Sequence, residues 1–391
     1  MPSFDLVVIG SGPSGRRAAV QAAKLGKRVL VVERHARIGG VSVHTGTVPS
    51  KTMRETVLNL SGWRERGFYG RAYRVKKDIG APDIQSRMEQ TLRHEVDVLE
   101  HQFSRNGVET MRGEASFCSP TELDVAVTGG EVERVEAGKI IIAVGTRPFR
   151  PPYVPFNGTN VFDSDEILAI PKIPRSLAVI GAGVIGVEYA TIFSALEVQV
   201  TLIEPRSTFL DFVDRELMEE FTHELRDRNV ALRLGAEVSS IDFDEAGRPT
   251  CRLASGREVT SEVLLFAAGR MGAVDTLNLA AAGLEADRRG RLSVDPKTME
   301  TSVPGIYATG DVVGFPSLAS TSMEQGRIAA CHAFGVRTPA PPEFFPYGIY
   351  SVPEISTVGM SEEEVRKRAI PYEVGVARFR ETSRGHIMGL E

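Results

Sequence analysis

The sequence predicts an α/β fold: two Rossmann-like nucleotide-binding units and a smaller, partial α+β unit. Three observations carry that reading. Two glycine fingerprints, Gly10-Ser-Gly12-Pro13-Ser14-Gly15 and Gly181-Ala-Gly183-Val184-Ile185-Gly186, each sit between an apolar run and a helical stretch. An acid follows each by 18 residues, Glu33 after Gly15 and Glu204 after Gly186 (33 − 15 and 204 − 186). The elements around the two fingerprints also recur in the same order, an internal repeat of a whole β–turn–α–β unit.

The elements follow in turn. Asp5-Leu-Val-Val-Ile9 is a continuous apolar run, as a parallel strand buried on both faces requires. Residues 16–25 form a helix packed through Ala18, Ala19, Ala22 and Ala23, with Gly26 as its left-handed cap. Residues 28–32 are the next strand. Residues 82–105 read as one long helix, since Ile84, Met88, Leu92, Val96, Leu99 and Phe103 recur three or four apart. Residues 139–145 are another buried strand.

Prolines 148, 151, 152 and 155 then mark a linker, after which strand 177–181, helix 184–196 and strand 199–203 repeat the opening. Glu197 stands where Gly26 stood, so the second helix is expected to end differently. Strand 263–270 closes the second unit. Strand and turn 305–311 return to the first, and a helix follows from about Ser322 with Thr321 and Glu324 spaced as a capping box. The last unit holds an extended stretch (347–358), a helix (361–368) and a strand (372–379), too little for a core of its own. The expected domains are 1–150 with 271–336, then 151–270, then a partial domain at 337–391.

With 391 residues, 42% hydrophobic and 25% charged, the chain is globular with two or three domains. A net charge of −5 argues against nucleic acid as a partner. No stretch is apolar for long enough to cross a bilayer, and the first strand begins too early for a signal peptide, so the expected compartment is the cytoplasm. The three cysteines, Cys118, Cys251 and Cys331, have neither metal nor redox spacing. No histidine pair has metal-ligand spacing either, so no metal is expected.

In each fingerprint the first glycine permits a tight turn and the second lets backbone approach a pyrophosphate. The third lets helix and strand pack, so the helix N-terminus faces the anion. Glu33 and Glu204 suit hydrogen bonds to ribose hydroxyls. A chain holding two dinucleotides at once has the layout of a flavoenzyme exchanging electrons with a nicotinamide. Glu204 favours NAD, because a carboxylate repels a 2′-phosphate. Arg206 can pair with that phosphate, so the two residues suit a site that takes both.

The segment Gly39-Gly40-Val41-Ser42-Val-His-Thr-Gly46-Thr47-Val-Pro-Ser-Lys51 resembles the active-site loop of the flavoprotein disulfide reductases, the pyridine nucleotide-disulfide oxidoreductase family. Further matches are Ala143-Val-Gly145, Ala268-Gly269-Arg270, Ala308-Thr-Gly310-Asp311 and Tyr350-Ser-Val-Pro-Glu354. Where that family carries two redox cysteines, this chain has Ser42 and Thr47, and a hydroxyl cannot perform thiol–disulfide exchange. The loop, and Leu318-Ala319-Ser-Thr-Ser-Met-Glu-Gln-Gly-Arg327, are similar to the soluble pyridine nucleotide transhydrogenases within that family.

That resemblance implies hydride transfer between NADPH and NAD through FAD, a ping-pong cycle. It implies that Lys51 lies near flavin N5 and pairs with Glu188. Asp311 is then expected on the FAD ribitol, with the helix near Ser322 aimed at the flavin. Ser14, Arg34, Glu114 and Ala115 are carried over by position as further FAD residues. A quinone reductase and an inactive flavin-binding relative remain open. The family dimerises through its C-terminal domain, so a homodimer is expected, weakened by the short C-terminus.

Overall fold

The computed structural model describes residues 1–70, 72–127, 129–339 and 342–389. It divides into two compact units. The first comprises Met1–Pro49, Gln90–Pro148 and Arg270–Glu343; the second comprises Ser50–Glu89, Phe149–Gly269 and Phe344–Glu391.

In the first unit, parallel strands line up as Glu109–Ser119, Val29–Glu33, Ser3–Ile9, Val132–Ile142 and Ile306–Ala308. Val8 pairs with Val31 on one side, and Val7 with Ile140 on the other. Leu6, Val7 and Val8 are fully enclosed, as the unbroken apolar run demanded. Strand Glu122–Val127 adds an antiparallel layer between the far end of Glu109–Ser119 and the start of Val132–Ile142. Helices Pro13–Lys24 and Ala319–Ala333 pack together, and Gly326 is small because a Cβ there would lie 2.1 Å from the Ser14 carbonyl.

The helix from Ala319 starts a turn earlier than the capping-box reading placed it. Leu318 is the N-cap, Thr321 Oγ1 donates back to the Leu318 carbonyl (3.0 Å), and Glu324 pairs with Arg327 (2.5 Å). Thr321 is thus already inside the first turn, where its hydroxyl cannot cap.

The second unit repeats the plan. Its parallel sheet runs Ala231–Leu234, Gln199–Glu204, Ser176–Ile180, Val263–Phe266, Val161–Asp163. Helix Val184–Ala195 is buried at every residue from 186 to 195, which explains why it carries almost no polar face. Val238–Phe243, Pro249–Leu253 and Glu258–Thr260 form an antiparallel sheet beside it.

Glu197 was expected to end that helix in a new way. Instead it adopts the left-handed φ of +65° where Gly26 has +74°. The closing bonds also match: Lys27 N to Ala22 O and Val198 N to Phe193 O, both 3.2 Å. Arg66 and Arg74 both pair with the Glu197 carboxylate, which helps hold a side chain in a conformation that glycine adopts freely.

Compactness groups residues 50–89 and 344–389 with the second unit, which differs from the sequence-derived segments 1–150 and 337–391. The physical reason is core sharing. Met53, Val57, Ile84, Met88 and Ile349 belong to one cluster with Tyr189, Ile192 and Phe193. Within 344–389 the extended stretch is an antiparallel pair, Tyr347–Ile349 with Ile355–Thr357, and Ser361 caps helix Glu362–Lys367 by accepting Glu364 N–H. The strand expected at 372–379 does not form among the described residues. Val374 and Val376 are exposed there, and no neighbouring strand supplies a ladder.

Candidate functional site

In the first sheet the strand order, not the strand direction, reverses between the parallel strands Ser3–Ile9 and Val132–Ile142, the crevice where doubly wound folds bind ligands. A cleft of about 1030 Å³, counting its open mouth, lies there. Its lining gathers residues scattered through the sequence: Gly10, Gly12, Pro13 and Ser14 from the fingerprint, Glu33 and Arg34 from the second strand's end, and Gly40, Val41, Ser42 and Thr47 from the loop. Glu114, Ala115, Ala143, Gly145, Gly310, Asp311 and Ala319 complete the predicted set that lines it.

The backbone is drawn tight around this cleft. A Cβ on Gly15 would lie 2.0 Å from the Gly10 carbonyl oxygen, and one on Gly40 would lie 2.7 Å from Gly12 Cα. Gly12 is the N-cap of helix Pro13–Lys24 with Pro13 at its first position, so the first-turn amides point out of the helix toward an anion. The Glu33 carboxylate accepts Ser11 N–H (3.1 Å) and Ser11 Oγ–H (2.5 Å) with one oxygen and His35 N–H (2.9 Å) with the other. Ser11 also takes Gly39 N–H (2.9 Å), so it ties strand, turn and loop together.

Asp311 is half-buried at the cleft, and desolvation pushes its carboxyl up, opposed by the Arg270 charge and by Ser322 Oγ–H at 3.5 Å. An acceptor so poorly served fits a ligand hydroxyl. Arg270 itself does not line the cleft; it donates to Thr146 Oγ1 (2.9 Å) and to the Thr146 carbonyl (3.0 Å). Gly15, Gly46, Gly269 and Leu318 also stand back from it, as turn and packing residues.

The second fingerprint has the same local geometry. Gly181 has φ +99°, Gly183 is the N-cap, Val184 and Ile185 open the helix, and a Cβ on Gly186 would lie 1.9 Å from the Gly181 carbonyl oxygen. Glu204 accepts Ala182 N–H (2.8 Å), Arg206 N–H (3.2 Å) and Arg206 Nε–H (2.8 Å). Burial opposes its ionisation, but these donors outweigh burial and hold the carboxyl below its ordinary range. Arg206 also reaches Asp211 (3.2 Å), and its guanidinium is half exposed.

Lys51 and Glu188 meet in the second unit. Helix Thr47–Leu60 presents Lys51, whose Nζ lies 2.5 Å from Glu188 Oε2; Glu188 is buried on helix Val184–Ala195. The other oxygen, Oε1, accepts Tyr350 N–H at 2.9 Å, and the Tyr350 ring lies 4.8 Å from the ammonium.

Residues 4–326 match the sequence model of the pyridine nucleotide-disulphide oxidoreductases, and residues 345–390 match the dimerisation domain of the same group. The chain belongs to this family. A protein of Mycobacterium tuberculosis named soluble pyridine nucleotide transhydrogenase is 50% identical over 390 residues, covering 100% of this chain and 83% of that one. The Colwellia psychrerythraea protein of the same name is 40% identical over 385 residues, covering 98% and 82%. Among solved structures, the HOCl-induced flavoprotein disulfide reductase RclA of Escherichia coli superposes with a TM-score of 0.87 at 26% identity, covering 98% of this chain and 84% of that one. LpdA of M. tuberculosis does so with 0.89 at 25%, covering 99% and 84%.

Family membership makes the chain an oxidoreductase of the FAD- and pyridine-nucleotide-binding fold. None of the three cysteines lines the first-unit cleft. Among the described residues no helix is long and apolar enough to cross a membrane, and no cluster of side chains could hold a metal ion. Reading the sequence missed Ser11, Thr146, Thr276 and Ser317, all of which line the cleft, while Ser322, expected near the start of a helix aimed at the flavin, lines it too. Ser11 was legible as the residue after the first fingerprint glycine. The others lie on a short strand (Thr146) and on connecting segments (Thr276, Ser317) that only folding brings together.

Proposed function

We propose that this chain is a soluble pyridine nucleotide transhydrogenase, moving a hydride between NADPH and NAD without a redox disulfide. The observation that carries the reading is the cleft lining: the loop brings Ser42 and Thr47 to it and no thiol, in a chain 50% identical to a named transhydrogenase. FAD, when bound, would accept a hydride from one nicotinamide and return it to another.

The protein's part is to bind and orient. The first-turn amides after Gly12 hold a pyrophosphate, Glu33 faces a ribose, and Asp311 accepts from a ribitol hydroxyl. The N-terminus of helix Ala319–Ala333 adds positive potential on the same cleft. Lys51, fixed by Glu188 (2.5 Å), supplies positive charge that would orient the nicotinamide. The second fingerprint takes NAD and NADP(H) in turn, which makes the cycle ping-pong. Glu204 serves the ribose of NAD. Arg206 turns from Glu204 to the 2′-phosphate of NADP(H). The match to a dimerisation domain supports a homodimer.

Anaerobic stopped-flow absorbance tests the reading. NADPH should bleach the bound flavin and NAD should restore its colour, with parallel double-reciprocal plots. Recovery with menadione but not with NAD would replace this reading with a quinone reductase.

A further inference from the structure

Resting on that reading of Lys51 and Glu188, we propose that Tyr350 is a positioning residue for the reaction, fixing the Lys51 ammonium through both its amide and its ring. The relevant geometry lies within the second unit. Glu188 has two oxygens, one spent on Lys51 Nζ at 2.5 Å and the other on Tyr350 N–H at 2.9 Å. The ring of the same tyrosine lies 4.8 Å from the ammonium, within the range at which a cation is attracted to an aromatic face. One residue therefore orients the carboxylate with its backbone and covers the cation with its side chain.

A lysine on a flexible four-carbon stem is directed by a carboxylate but not confined by it. Confinement needs a second wall, and Tyr350 supplies one. Its backbone is firmly held. Buried Arg54 donates from Nε (3.1 Å) and a terminal nitrogen (3.0 Å) to the Ser351 carbonyl and pairs with Glu354 (2.8 Å). Val352 N–H donates to Thr191 Oγ1 at 3.0 Å. The segment is thus pinned to the helices that carry Lys51 and Glu188. The Tyr350 residue is nevertheless 45% exposed, while Glu188 is 5% exposed. An aromatic ring kept at the surface of so tightly anchored a segment is placed to shield the ammonium, not to fill the core.

The test uses the full-length FAD-loaded chain with Y350L and Y350F. Acetylation of Lys51 by an N-hydroxysuccinimide ester, followed by peptide mass spectrometry, reads the shield without any turnover. Y350L should acetylate Lys51 about three- to fivefold faster than wild type, and NADPH should bleach its flavin slower by about the same factor at unchanged KM for NADPH. Restoring the ring without its hydroxyl, in Y350F, should rescue both values. Equal acetylation of Y350L and wild type overturns the proposal, and so does faster acetylation with unchanged bleaching. A wild-type protein that NADPH fails to bleach overturns the hydride-transfer reading instead, while the acetylation ratio still decides whether the ring holds Lys51.

Discussion

The two nucleotide-binding units share one backbone device and serve it differently. Gly10 and Gly181 have φ of +102° and +99°, and the third glycines, Gly15 and Gly186, each leave no room for a Cβ against the first glycine's carbonyl. The acids diverge in their company. Glu33 is held by neutral donors, the Ser11 hydroxyl and two amides, with no cationic side chain bonded to it among the described residues. Glu204 has lost the serine, since Ala182 stands in Ser11's place, and has gained Arg206. The fingerprints thus share one backbone geometry, while the residues beside the acid differ in charge between the two units.

The strongest way to break that comparison is to add a methyl group at the third glycine of either unit. G15A and G186A should each destabilise the fold by about 3 kcal/mol, since overpacking against backbone outweighs the helix propensity that alanine gains. Thermal unfolding checks the size. The comparison is sharpened by what is lost, because G15A should purify colourless while G186A keeps FAD and loses NADPH binding.

Next comes the Lys51–Glu188 pair. K51M leaves a buried carboxylate without its cation, at a cost of about 3 kcal/mol, and slows bleaching by NADPH roughly a hundredfold. Urea unfolding and stopped-flow absorbance measure the two effects. E188Q keeps the Tyr350 amide bond and should cost less on both counts.

Arg206 sharpens the contrast between the acids. R206A should weaken NADPH about tenfold and leave NAD within about twofold, by fluorescence titration, as one charge-assisted bond predicts. The same donors make Glu204 a pH reporter. Its carboxyl is held below the ordinary 4.5, so it adds stability above that value which is lost as pH falls through the folded pKa. R206A should flatten that acid limb.

Asp311 carries the opposite sign. Burial raises its pKa, so without ligand it subtracts stability as pH rises above 3.8. D311N should therefore stabilise the FAD-free protein at neutral pH and weaken FAD about tenfold, read by calorimetry and by flavin release.

The smallest effect lies at the helix ends. G26A should cost about 1 kcal/mol, because its left-handed φ suits glycine. E197G removes the same strain but also the Arg66 and Arg74 ion pairs, so its effect should stay within about 1 kcal/mol by thermal unfolding.

Much was legible in the sequence because its cause is local. Apolar runs, glycine turns and helical periodicity are properties of neighbouring residues, so the long helix was read at 82–105 and folds as Ala81–Arg105. Both fingerprints and both acids stand where their spacing put them. Local patterns misled where tertiary partners decided the outcome. Glu197 takes glycine's conformation with two arginines on its carboxylate, and Thr321 lies inside the helix it was expected to cap. Residues 372–379 have strand-like alternation but, among the described residues, no strand to pair with.

By itself the sequence determined the repeated nucleotide-binding plan and the absence of thiols from the loop, because both are matters of residue type and spacing. Only the tertiary structure decided what converges on Glu188: a lysine 137 positions before it and a tyrosine amide 162 positions after it. Such distant groups share no local signal, and their meeting depends on how helices Thr47–Leu60 and Val184–Ala195 bury a common core.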